Sequence, residues 1–244
     1  VGSSLVAELQ KRPPKVPLLI GSNLNETSLF LCFDLKEDIT ARRAARVSEH
    51  VAAALGVNLT AREARQLLSL YPVGEGGYPS SRSAVIGVSS DMMFGCPAQA
   101  VADAVSAVPG ASVYRYVLAR SPRLFRVADS CLGVPHIVDT FYNFLGQGLP
   151  GFLTWALFDD EDKALVGVMS SAWWSFVRNG TPSLPAGTAA GSWPRYDGKS
   201  RASLRLGASV TVEHSYHASE CAAMPRTGRD GPPAAAAGAS VEYV

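Results

Sequence analysis

Val16-Pro17-Leu18-Leu19-Ile20 is a short apolar run that ends at Gly21 and crosses a polar turn. It delivers a single carboxylate, Glu26, before Thr27-Ser28-Leu29-Phe30 opens a new apolar segment. A run of this length bounded by turn residues reads as a buried strand. A loop carboxylate at the end of such a strand is how an α/β sheet builds a site along its carboxyl edge. The carboxylate needs a partner, and Gly133-Val134-Pro135-His136-Ile137-Val138-Asp139 is the best candidate to bring one.

The surrounding chain supports a large core. Of 244 residues, 47% are hydrophobic and 18% charged, and mean hydropathy is +0.10. A net charge of +1 gives little support to steering toward nucleic acid. No apolar run approaches the roughly 20 residues that span a bilayer. The chain opens Val1-Gly2-Ser3-Ser4 without a secretory leader, and is expected to be the downstream part of a longer polypeptide.

Helices are expected over 5–12, ended by Pro13-Pro14, over 39–55 with Arg42, Arg43 and Arg46 outward and His50 on the surface, and from Thr60 through Leu70 behind a capping box. Residues 83–108 read as one or two helices, and 111–118 alternates as a strand. A loop of some seventeen residues then leads to His136. Asp159-Asp160-Glu161-Asp162 opens a long helix to Arg178, its acids at the positive end of the dipole, with Trp173, Trp174 and Phe176 as core packing. Ser203 to Leu206 is a possible last strand, and 222–244 is a Pro/Gly/Ala-rich tail expected to be poorly ordered.

Acyl transfer needs an activated nucleophile, a general base and a carboxylate that orients the base. Glu26 followed by His136 has the order of the last two members in α/β-hydrolases. The G-x-S-x-G elbow that would carry the nucleophile is absent, and Gly87-Val88-Ser89-Ser90-Asp91 lacks its second glycine. Taken alone, one Glu and one His are more often structural than catalytic.

Five segments together resemble the type-B carboxylesterases, the cholinesterase-like branch of the α/β-hydrolases. They are Val16 to Phe30, Asp91 with Cys96-Pro97, Gly133 to Asp139 running on to Phe144-Leu145-Gly146, Trp173 to Pro182, and Trp193-Pro194. The resemblance implies the C-terminal portion of that fold, a mostly parallel mixed sheet flanked by helices and incomplete without an N-terminal part. It covers 1–221 as one unit. It places Glu26 on the triad acid, His136 on the base, and Asp139 on the acidic residue three places later, and it implies no metal or organic cofactor.

It also implies a Cys96–Cys221 disulfide. If acid and base touch, a Cys32–Cys131 bridge is sterically possible as well. Thr27 and Ile137 depart from the family pattern, standing where a glycine and a small residue are usual. Both are expected to add β-branched bulk near the site. Asn58 and Asn179 head glycosylation triplets, as does Asn25, whose triplet overlaps the acid. With an even cysteine count they point to a secreted or secretory-pathway protein.

The family's nucleophile precedes its acid in sequence, so this chain is expected neither to fold nor to act without a complementary N-terminal part. Three functions fit: the acid-and-base part of an esterase for small-molecule esters, an inactive neuroligin-like adhesion or scaffold domain, and a ligand-binding or precursor domain on the same fold. None involves nucleic acid or a transmembrane segment.

Overall fold

The computed structural model describes residues 8–9, 11–12, 14–36, 39–145 and 150–225. Most of the tail and part of the helix expected over 5–12 lie outside them. Four strands form one mixed sheet in the order β1 (Leu18–Asn23), β2 (Val113–Leu118), β3 (Ala202–Leu206) and β4 (Val210–His214). The first three are parallel, and β4 returns antiparallel through a tight turn.

All six residues of β2 are buried, as expected of a strand covered on both faces. Tyr114, Tyr116 and Leu118 face Leu165, Val166, Met169 and Ala172 of the twenty-residue helix Asp160–Asn179. Val113, on the opposite face, meets Ala102 and Val105 of helix Cys96–Ser106, together with Leu18, Ile20 and Tyr196. Helices Ala41–Ala54, Ala61–Leu68 and Ser81–Ser90 form a satellite layer around Ala52, Leu67, Tyr71, Ala84 and Val88.

Several local expectations change. The first strand runs to Asn23, because Gly21-Ser22-Asn23 continues to pair with β2 up to Leu118. The one or two helices expected over 83–108 are two, Ser81–Ser90 and Cys96–Ser106, with the unexpected π turn Asp91–Gly95 joining them. Trp174 is 65% exposed beneath the guanidinium of Arg178, whereas Trp173 packs on Tyr116 and Trp193. Three aromatics spaced by one and two residues cannot all face one side of a helix.

Gly21 sets the fit between β1 and β2. A Cβ there would stand 2.4 Å from the Tyr116 ring, so the tyrosine lies across a position that only glycine leaves open. The Tyr116 hydroxyl then donates to Asp139, 3.2 Å away in the histidine segment. Gly21→Ala in the complete protein should therefore lower stability by about 1–3 kcal/mol, read as a drop in melting temperature. An unchanged melting temperature would mean that the tyrosine can move aside freely.

Candidate active site

β1 and β2 run parallel, so their carboxyl ends lie at one edge of the sheet. The turn after β1 carries Glu26, which is 5% exposed. Its Oε1 accepts the Asn23 N–H at 2.7 Å, and its Oε2 lies 2.7 Å from Nδ1 of His136. Asn23 itself ends the strand, so strand and acid are fixed together.

The chain reaching His136 from β2 is tied down by arginines. Arg120 meets Asp159, Glu161 and Asp162 at 2.8, 2.5 and 2.6 Å, and Arg126 reaches Asp162 at 3.0 Å. Asp162, fully buried, also accepts from the Arg123 N–H and the Tyr142 hydroxyl. The acids expected to serve the helix dipole thus also anchor the seventeen-residue loop, which contains the short helix Arg123–Ala128. Several charge-assisted bonds converging on a buried carboxylate are stronger than isolated surface pairs.

His136 then sits in a turn closed by the Val138 N–H on the Pro135 carbonyl at 3.4 Å. Ile137, at φ 74° and ψ −10°, holds the position of this turn that demands a left-handed backbone. A β-branched residue there is strained.

Acid loop and base loop are stitched along their length. The Asn25 N–H donates to the Val134 carbonyl and the Val134 N–H to Asn25 Oδ1, both at 3.0 Å. Asn23 Nδ2 donates to the Pro135 carbonyl at 2.9 Å, and the Ser28 hydroxyl to that of Leu132 at 2.5 Å. A Cys32–Cys131 disulfide lies just beyond, with Cα atoms 5.8 Å apart. The second bridge, Cys96–Cys221, has its Cα atoms 5.1 Å apart. Closing loops of 99 and 125 residues, each contributes on the order of 4–5 kcal/mol by chain entropy.

Thr27 does not crowd the site. Its hydroxyl turns away to the Ile86 carbonyl and Ser90 Oγ, both at 3.1 Å. Ile137 is 49% exposed beside the histidine, so the added bulk there does border the site. Phe94, carried by the π turn, lies 5.0 Å from the imidazole between ring centroids, and Phe30 lies 6.4 Å away.

Chemically, Glu26 selects the tautomer of its partner. With Nδ1–H directed at the carboxylate, Nε2 carries the lone pair that can take a proton. Nε2 bonds to none of the described residues, and the imidazole side chain is 45% exposed. Burial raises the Glu26 pKa above the usual carboxylate value, opposed by the Asn23 N–H and by His136.

Other sequence-level candidates lie elsewhere. Asn58 and Asn179 are exposed, whereas the Asn25 side chain is occupied by Val134 and the Thr27 of its triplet is buried. Sequence reading missed a second imidazole–carboxylate pair, His217 Nδ1 and Asp91 Oδ2 at 2.5 Å, with the Tyr71 hydroxyl on the same oxygen at 2.8 Å. Burial acts to lower the His217 pKa, but the hydrogen bond and charge of Asp91 outweigh it and raise it. A cleft of 570 Å³ bordered by His217, Tyr216, Tyr78, Arg205 and Glu213 adjoins this pair and includes neither Glu26 nor His136. No signal in the sequence joins residues 126 positions apart; only the fold does.

The carboxylesterase family model matches residues 3–224. A para-nitrobenzyl esterase of Bacillus subtilis (strain 168) is 30% identical over 199 residues, covering 82% of this chain and 36% of the relative. A solved structure of PNB esterase superposes with a TM-score of 0.62 at 23% identity, covering 91% of this chain and 41% of that one. The chain therefore spans well under half the length of the esterases it matches.

Two outcomes are expected from the site. Because the folded-state pKa of Glu26 is raised, the native state binds more protons than the unfolded chain as pH rises from about 4.5 through that pKa. Stability should fall over this window, and Glu26→Gln should abolish that component of the slope in melts taken across pH. A variant with an unaltered slope would show that Glu26 titrates alike in both states. Ile137→Gly removes about 1–2 kcal/mol of left-handed strain against about 0.5–1 kcal/mol of added unfolded-state entropy. Its melting temperature should rise slightly, and a decrease would refute the strain.

Proposed function

Because this chain belongs to the carboxylesterase family, we propose that it supplies the acid and the base of a carboxylic ester hydrolase, and that the serine nucleophile lies in a part of the protein outside this sequence. The carrying observation is the 2.7 Å contact between buried Glu26 and His136 Nδ1, which leaves Nε2 without a partner among the described residues on a side chain that is 45% exposed. In this reading Nε2 takes the proton of the serine hydroxyl as the oxygen attacks the ester carbonyl. The imidazolium then returns the proton to the departing alkoxide, and water repeats the cycle on the acyl-enzyme. Glu26 holds the tautomer and stabilises the imidazolium throughout.

The complementary part would lie against β1, whose outer edge pairs with none of the described strands, and would supply the facing wall of a small-molecule ester site. Residues 1–221 then form the later portion of one hydrolase unit, and 222–244 a tail. Two disulfides support a secretory setting, in which exposed Asn58 and Asn179 could accept glycans. Among the described residues no helix is long and apolar enough to cross a membrane. An inactive adhesion or scaffold domain would keep the same Glu26–His136 contact, and no observation favours that alternative.

The complete protein should be labelled covalently by an organophosphate on a serine of a G-x-S-x-G elbow. Glu26→Gln should cut kcat by about 10⁴ by favouring the wrong tautomer, and His136→Ala by at least as much. Absence of labelling, or a different residue at the elbow, would reject the esterase.

A further inference from the structure

We propose that the Cys32–Cys131 disulfide is a positioning element for the acid–base pair, an inference that rests on the esterase reading for its kinetic consequence but not for its geometry. Cys32 ends the acid loop six residues after Glu26, and Cys131 lies five residues before His136. Between bridge and pair run the bonds Ser28 to Leu132, Asn25 to Val134 and Asn23 to Pro135, so the two loops form a strip with the disulfide at one end and the imidazole at the other. The His136 N–H donates to the Glu26 carbonyl at 3.2 Å, making backbone and side chain of the same two residues a double link.

At its bridge end the base loop is held by its own local bonds, the Cys131 N–H on Asp129 Oδ1 at 2.8 Å and the Ser121 hydroxyl on the Gly133 carbonyl, while the disulfide ties it covalently to the acid loop. Cys32 packs with Ile86 and Leu132, and Cys131 is half-buried at the margin of the same small cluster. Strain at Ile137 pulls the other way, favouring relaxation of the turn that aims His136. A covalent tie holds the loops in register against that relaxation. The Cys96–Cys221 bridge, by contrast, joins the helix after the π turn to helix Ala218–Ala223, and neither of its cysteines belongs to the acid or the base loop.

The test uses the complete protein carrying C32A/C131A, with C96A/C221A as comparison. Removing the first bridge should lower kcat by about tenfold to a hundredfold through misplacement of the base, with KM within about twofold. It should also broaden or abolish the downfield proton resonance of His136 Nδ1–H. C96A/C221A should lower the melting temperature and leave both the resonance and kcat in place. If C32A/C131A yields no folded protein, a small dithiol applied to C96A/C221A, compared with the same variant untreated, removes the Cys32–Cys131 bridge in its place. It reduces the bridge by two electrons to two thiols and is itself oxidised to a disulfide. A folded bridge-free protein with an unchanged resonance and kcat would overturn the proposal. A complete protein that hydrolyses no ester would refute the esterase reading instead, and the resonance would still decide the positioning role.

Discussion

Parallel pairing of β1 with β2, in register from Leu18 opposite Val113 to Asn23 opposite Leu118, brings two carboxyl ends to one edge of the sheet. The acid and the base are 110 residues apart in sequence, and the pairing makes their loops neighbours. Gly21 permits it by leaving space for the Tyr116 ring, and the tyrosine hydroxyl extends the contact to Asp139. Helices then pack on both faces of β2. The site is a property of this edge more than of either loop.

Burying a carboxylate is unfavourable unless donors replace its lost water. Glu26 has two, one on each oxygen: a backbone N–H of its own strand end and the imidazole. They do not fully compensate, and burial holds its pKa up. The neighbouring backbone shares the same arrangement, since Asn25 and Asn23 spend their side chains on carbonyl and N–H groups of the base loop. Two asparagines that read as turn formers are therefore the cross-links of the site.

The parts legible in the sequence were those with a local cause. An apolar run stopped by glycine gave the strand, and the acids at 159–162 gave the start of the long helix, both where expected within a few residues. The family resemblance, carried by short motifs in order, brought Glu26 and His136 forward as partners, and the structure places them in contact. β4 was not read, because Val210-Thr211-Val212-Glu213-His214 follows a Gly-Ala-Ser turn and is stable only against β3. Left-handed Ile137 ran against every propensity, since β-branched residues avoid that region and only a turn enforced from outside holds one there. The His217–Asp91 pair depends wholly on tertiary contact.

One electrostatic consequence joins the buried acid to the open base. In the proposed reaction the imidazole becomes positively charged, and its attraction to Glu26 grows as the effective dielectric around the pair falls. Glu26 is already removed from water, while the His136 side chain is 45% exposed and partly screened by it. A second wall closing over the imidazole would strengthen the charged state of the pair far more than its neutral state. The same closure would bring a hydroxyl within reach of Nε2 and exclude the water that competes for it. The acid–base pair is thus arranged so that its chemistry depends on the surface that covers it, while its geometry is set by the edge of the sheet beneath it.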